Sequence, residues 1–429
     1  MPGLPLSPVP EQEADAAGER PSGSASSASL APSASGSRNS ETFSRSSDIS
    51  EPICQENSAS FLEKALSYSE EETEEEEAEE DQEEEWDTDL EIEISTICYD
   101  PAGRTRYLAI CQAYGVVPIS YFLRHMKDSE LILMHRGLGP KAAKALALSL
   151  TSNTSIVKLN LSDNGLDGDG AVAMAEMLKE NCYISELDLS ENKVGVKGIE
   201  ALSTVLQENP ILVSLKLSGN ELNDRAAKYL ADALVTNQKV EHLDLSHNRL
   251  GEPAGEALGV AMAENVGLKQ LNLSWNNFRG QGAVAVAKGL GANIFLRVLD
   301  LSYNGFGNSG AAALGAALKS NNVLEELNIS NNRIALEGAL ALALGLKGNK
   351  NLRRLQMSRN PIQNEGCLGI LKAIRANPGA AMEFLDFSAI VVKKDFVRAC
   401  EAVQELLPSL LIQHDGTTRL FRREFPKVS

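Results

Sequence analysis

"LKQLNLSWNNFRG", residues 268–280, alternates Leu271 and Leu273 with Gln270, Asn272 and Ser274, which is the period of a half-buried strand. Asn276, Asn277 and Gly280 then supply the residues of a turn. The stretch returns as "VEHLDLSHNRLG" from Val240, "LRVLDLSYNGFG" from Leu296 and "ISELDLSENKVG" from Ile184. Its meaning therefore belongs to a repeat.

Two asparagine ladders set the phase. Asn164, Asn192, Asn220, Asn248, Asn276, Asn304, Asn332 and Asn360 stand 28 residues apart. Asn153, Asn181, Asn209, Asn237, Asn265, Asn293, Asn321, Asn349 and Asn377 keep the same period, offset by 17. Between them each unit reads L-x-x-L-x-L-S-x-N-x-L, then a small residue and an Ala/Leu-rich helix. The unit at Asn164 uses Ile156, Leu159, Leu161, Leu166, Gly170 and "AVAMAEMLKEN". One strand plus one helix per 28 residues is a leucine-rich repeat, and it resembles the ribonuclease-inhibitor and Ran GTPase-activating-protein class. The resemblance covers about residues 128–390. The first frame has Arg136 where Asn is expected, and "MEFLDFSAI" at the far end is displaced by two residues, as irregular capping units should be. The acidic arm followed by "WDTDLE" at Trp86, "VVPISYFLR" at Val116, "HRGLGP" at His135, "NIFLRVLDLSYNGFG" at Asn293 and "EFLDFSAIVV" at Glu383 is similar to the leucine-rich repeat-containing protein 74 family. That resemblance implies an architecture and no biochemical activity.

The expected fold class is α/β, a horseshoe solenoid with parallel strands on the concave face and helices on the convex face. Each buried leucine contributes ~1.5–3 kcal/mol, and one unit alone could not shield its own, so stacking is obligatory. Small residues in "AVAVAKGLGAN" and "AAALGAALKSN" let helices approach to ~8 Å. Strands stack at ~4.8 Å with the layers ~10 Å apart, so the mismatch bends the stack by roughly 0.3 radian per unit. The first asparagine should end the strand and hold buried backbone groups of its own and the adjoining turn. The second falls at the helix end, where asparagine tolerates a left-handed cap.

Domain organisation follows from composition. Residues 1–94 are rich in Ser, Pro, Gly and Glu, with too little apolar surface to offset ~1–2 kcal/mol per residue of backbone ordering, so a disordered arm is expected. Within it, "FLEKALSY" from Phe61 would place Phe61, Leu62, Ala65 and Leu66 on one helical face. Residues 95–127 should form a helical N-terminal cap, with Asp100 and Pro101 opening one helix and Pro118 another. Nine repeats then occupy 128–379, and 380–429 hold a degenerate capping repeat and tail. The net charge of −19 is concentrated in Glu70–Glu93, which holds 17 acidic residues and no Lys or Arg, so the remainder is nearly neutral.

The six cysteines show no C-x-x-C pair and no regular spacing, which indicates neither a zinc module nor a disulfide framework and fits a reducing compartment. No apolar run approaches the ~18 residues of a membrane span, and no basic-then-apolar leader opens the chain. A soluble cytoplasmic location, with the nucleus as an alternative, is expected. No P-loop, HExxH, G-x-S-x-G or dinucleotide-binding pattern occurs, and the glycines sit in repeat phase. No catalytic residue, cofactor or metal is therefore assigned, and the chain is expected to be no enzyme. His242 and Asp244 share a strand face with His247 nearby and could coordinate a metal, but a solvated polar strand surface accounts for them better. No basic stripe with interleaved aromatics points to nucleic acid.

The expected role is a non-enzymatic scaffold, a monomer binding an as yet unidentified protein partner on the concave face. GTPase activation is an alternative by analogy with the repeat class, with no residue here to carry it. A chaperone acting on basic proteins through the acidic arm is another. Asp188, Asp244 and Asp300 share one repeat position and could form an acidic stripe, although a solvated face also requires polar residues there. Trp275 occupies a position held elsewhere by Asp163, Glu191, Gly219, His247, Tyr303, Asn331 and Arg359, a set no core site would accept. Its ring should stand at the rim between His247 and Tyr303. The partner-binding candidates are Trp275, Tyr303, His247, His242, Asp244 and Asp300. Because the arm lacks core-forming residues, a chain starting near Ile94 should melt within about 2 °C of the full-length protein, and a large loss in that melt would move the boundary.

Overall fold

The computed structural model describes residues 103–415. The Phe61 segment, the acidic run and the Asp100–Pro101 helix start lie outside the described residues. The chain opens with α1 (Arg104–Ala113) and α2 (Ser120–His125), which meet through Tyr107 and Phe122, edge to face at 4.8 Å. The Tyr107 hydroxyl accepts the Ile119 N–H at 3.0 Å, and burial pushes that phenol far above its ordinary pKa.

From Glu130 the chain alternates strand and helix. Eleven strands of three residues pair in chain order into one parallel sheet. Register is unslipped: in β5 (His242–Asp244), β6 (Gln270–Asn272) and β7 (Val298–Asp300), Leu271 sits opposite Leu243 on one side and Leu299 on the other. The middle residue of these strands is buried while its neighbours face outward, as the alternation requires. Leu268, Leu271, Leu273 and Phe278 are all buried against the helix layer, and their counterparts do the same in the units from Ile156 to Ile362.

Helices cover the opposite face, and glycine sets how closely some of them approach. Between α7 (Glu252–Glu264) and α8 (Gly280–Ala292), a Cβ at Gly289 would collide with the carbonyl oxygen of Gly259. Between α9 (Gly307–Ser320) and α10 (Leu336–Leu346), Gly345 meets Gly315 in the same way. Even closely packed helices stand ~8 Å apart against ~4.8 Å for strands, which places the sheet on the inner side of a curved stack.

The asparagine ladders tie each unit to the one before. Asn276 donates to the carbonyls of Leu273 and Ser274 in its own turn at 3.2 and 3.1 Å and to Leu245 in the preceding unit at 2.9 Å. Its Oδ1 accepts the Leu250 N–H at 3.1 Å. Asn248 and Asn304 repeat this pattern.

The second ladder departs from expectation. From Asn181 to Asn321 the helix-end asparagines are not left-handed but extended, with φ between −81° and −69° and ψ between 118° and 136°. The reason is again a buried amide. Asn265 donates to Leu234 and Asn237 of the preceding unit at 2.6 and 2.9 Å, and accepts from the N–H groups of Gly267 and Leu268 at 3.0 and 2.7 Å. An extended residue carries the chain straight toward the next strand while its side chain reaches back.

At the C-terminal end β10 (Phe384–Asp386) pairs with β9 (Arg354–Gln356) in spite of the two-residue displacement. A helix, α12 (Lys394–Gln404), and one more strand, β11 (Leu411–Gln413), follow. That last strand was not anticipated, since its sequence lacks the leucine-asparagine signature. Cys367 and Cys400 are buried free thiols whose pKa values burial pushes up to about 12 and about 11.

Asn276→Ala leaves one N–H and three carbonyls without their side-chain partner, at ~1–3 kcal/mol per unsatisfied buried group. A loss of at least about 2 kcal/mol in thermal or urea unfolding is expected, and a near-neutral result would show that the ladder does not hold the stack.

Candidate functional site

The residue before each ladder asparagine has a special backbone. From His135 through Asp163, Glu191, Gly219, His247, Trp275, Tyr303 and Asn331 to Arg359, φ lies between 51° and 67° in nine consecutive units. For an L-residue this left-handed conformation costs roughly 1–2 kcal/mol. It is held because each backbone N–H reaches the next unit, as from Trp275 to Ser302 at 2.9 Å and from His247 to Ser274 at 3.0 Å. The sharp turn throws the side chain outward, so this position forms a column along one rim of the sheet.

Side chains in the column lie on one another. His135 Nδ1 and Asp163 Oδ2 are hydrogen-bonded at 2.7 Å. The Glu191 carboxylate occupies the space that a side chain at Gly219 would fill. Next come the rings: His247 stacks on Trp275 at 5.1 Å and 15°, and Trp275 on Tyr303 at 3.8 Å and 8°. Trp275 nevertheless remains 48% exposed. Stacking covers both faces of Trp275 and the facing sides of His247 and Tyr303, so Trp275 presents its edge to solvent.

The inner face of the sheet is built from the first and third residues of each strand, and next to the central strands its charges pair with one another. In β2 (Lys158–Asn160), Lys158 pairs with Glu186 of β3 (Glu186–Asp188) at 2.8 Å, and that hydrogen bond holds the lysine above its ordinary pKa. In β4 (Ser214–Lys216), Lys216 reaches Asp188 at 3.6 Å. Beyond the centre, Arg354 of β9 pairs with Glu326 at 3.5 Å and lies over the Phe384 ring at 4.6 Å. These charges are thus neutralised locally, between neighbours.

The central strands differ. Here the first position holds His242, Gln270 and Val298, and the third holds Asp244, Asn272 and Asp300. These residues, with Ser214 and Lys216 of β4, line a hollow of about 300 Å³. Asp244 and Asp300 each have a turn role that sequence reasoning missed: Oδ1 accepts the N–H two residues on, from Ser246 at 2.9 Å and Ser302 at 2.8 Å. Asn272 does the same for Ser274 at 3.0 Å. The Asp-or-Asn alternation at this position was the available signal, because those two residues share the acceptor that closes such a turn. Asp300 Oδ2 also accepts from Asn328 Nδ2 at 3.0 Å. No lysine or arginine among the described residues pairs with Asp244 or Asp300. His242 Nδ1 is buried without a hydrogen-bond partner.

Of the residues singled out by sequence, His247, Trp275 and Tyr303 come together at the rim, and His242, Asp244 and Asp300 line the neighbouring inner face of the same three units. Among the described residues no group of three or more His, Cys, Asp or Glu side chains is arranged to hold a metal ion, and no helix is long and apolar enough to cross a membrane.

Units of this geometry, stacked on asparagine ladders, define a tandem leucine-rich-repeat protein. The family profile described as Leucine Rich repeat matches residues 152–175, 180–203, 208–231, 236–259, 265–287, 292–315, 320–343 and 348–371. Among curated relatives the chain is similar to Leucine-rich repeat-containing protein 74B. Identity to the Homo sapiens protein is 61% over 49 residues, 11% of this chain and 12% of that one. For the Mus musculus protein it is 56% over 52 residues, 12% of this chain and 13% of that one. The match thus spans about an eighth of the relatives' length. A solved structure titled Leiomodin-1 Actin-Binding Site 2 (ABS2) aligns with a TM-score of 0.30 at 18% identity, covering 35% of this chain and 87% of that one.

The left-handed backbone at Trp275 makes a testable distinction between ring and backbone. Glycine adopts that conformation without penalty and alanine does not. Trp275→Gly is therefore expected to be about 0.5–1 kcal/mol more stable than Trp275→Ala in unfolding measurements, and the reverse order would contradict the conformation.

Proposed function

We propose that the protein is a non-enzymatic interaction scaffold that binds a protein partner on the strand-lined concave face, with the His247–Trp275–Tyr303 stack as its anchor. The observation that carries this reading is the exposure of the stack. A tryptophan kept 48% exposed between two other rings is a large amphipathic surface already fixed in place. Tryptophan and tyrosine are the side chains most enriched among interface hot spots, often worth 2 kcal/mol or more. A stack that served stability alone would have little reason to gather rings in three consecutive units, when Asp, Glu, Gly, Asn, Arg and a lone His135 fill the same column elsewhere. The family is one of repeat-containing proteins, and no constellation of nucleophile, base and oxyanion donors is assembled around the column.

Proximity labelling with the full-length chain and with Trp275→Ala tests the reading. Partners enriched by the wild type should fall at least tenfold with the variant while its melting temperature drops by only a few degrees. An unchanged partner set would overturn the proposal, as would a fall of many degrees with binding intact.

A further inference from the structure

Between β2 and β9, the three units that carry the ring stack are also the three in which the inner face lacks cation–carboxylate pairs. Across β2–β4 every charged side chain of the inner face has an opposite neighbour, and the pair Glu326–Arg354 does the same beyond β7. Over β5–β7 two carboxylates remain, Asp244 and Asp300, with Asn272 between them. Of the nearby cations, Lys269 is committed to Glu241 and Arg297 to Glu325, while Lys216, opposite Asp244 in register and in the wall of the hollow, reaches Asp188 at 3.6 Å. Two carboxylates against the one lysine Lys216, a hollow of about 300 Å³ and an exposed aromatic rim thus coincide on one stretch of sheet.

Resting on the scaffold reading above, we infer that this stretch takes a basic, extended segment of a partner protein, with an arginine seated over Asn272 and flanked by Asp244 and Asp300. The register supplies the geometry. Adjacent strands lie ~4.8 Å apart, so a guanidinium centred on Asn272 is one strand spacing from each carboxylate. Its planar fork suits two acceptors better than the point charge of a lysine does. One oxygen of each aspartate is used by its own turn, and the Oδ2 atoms are left to face the cation: that of Asp244 has no other hydrogen bond, while that of Asp300 also accepts from Asn328. The unpartnered His242 Nδ1 lies in the wall of the same hollow, where the protein's own hydrogen bonding is incomplete. A segment running from this hollow to the rim would meet the edges of Tyr303, Trp275 and His247, which offer donors and apolar edge rather than ring faces. An acidic segment would instead place like charges against Asp244 and Asp300.

The chain contains two tryptophans, Trp86 and Trp275, so Trp86→Phe leaves Trp275 as the sole reporter and makes the acidic arm silent in fluorescence. The full-length Trp86→Phe protein is titrated with a Gly/Ser peptide of twelve residues carrying two arginines, and with its glutamate counterpart. The arginine peptide should change Trp275 emission saturably and the glutamate peptide should not. Asp244→Asn together with Asp300→Asn should weaken the arginine titration at least tenfold. Asparagine already fills this position at Asn160, Asn272 and Asn328, where it keeps the turn acceptor, so the double variant should fold and melt normally. No emission change with the arginine peptide, or an equal change in the double variant, overturns the inference. A response to the glutamate peptide alone overturns it while leaving the scaffold reading standing. That reading falls separately, if Trp275→Ala keeps every labelled partner.

Discussion

Each ladder asparagine bonds backward to the preceding unit, and this one interaction fixes the period of everything else. An amide has two donors and an acceptor, enough to close its own turn and its neighbour's at once. Asn276 does both, to Leu273 and to Leu245, and Asn265 does so at the other end of the strand. An insertion inside a unit would have to leave both amides in place. Equivalent amide contacts therefore recur every 28 residues, and the sheet between them is held in register.

Because register is locked, sequence positions 28 apart become neighbours at strand spacing, and the surface is read in columns. Pairing along a column explains the ion pairs Lys158–Glu186 and Arg297–Glu325, each between residues 28 apart. Exposed pairs of this kind contribute only ~0–1 kcal/mol each. Their larger effect is to decide where charge is left over. One column, before the ladder asparagine, carries an added backbone constraint, and its occupants range from glycine to tryptophan because a left-handed turn directs them outward.

The leucine and asparagine phases were legible because each repeats one constraint many times. The rim position of Trp275 was legible from its column, since Gly219, Arg359 and Tyr303 cannot share a core. Gly219 in that column also hinted at the left-handed backbone, but a single glycine among nine residues does not establish a conformation. The extended backbone of Asn265 was hidden because asparagine serves both in left-handed caps and as a buried amide, and only the contact to Leu234 separates them. β11 was hidden for the opposite reason: it is held by pairing with Phe384–Asp386 and not by a repeat motif. Asp244 and Asp300 looked like surface charge, and their turn role shows only once Ser246 and Ser302 are placed.

A stacked rim changes the balance of binding as well as its location. An isolated exposed tryptophan has rotamers to lose when a partner arrives, and ordering one rotamer-rich side chain costs roughly 0.5–1.5 kcal/mol. Trp275 is already held between His247 and Tyr303, so much of that ordering is complete in the free protein. Stacking also hides ring faces, which removes the surface that would attract unselective apolar contacts and leaves edges with directional donors. The adjoining carboxylates are fixed in the same sense, each by its own turn N–H. Rigid rings beside rigid charges favour discrimination among partners over adaptability, because neither element can repack to suit a wrong one.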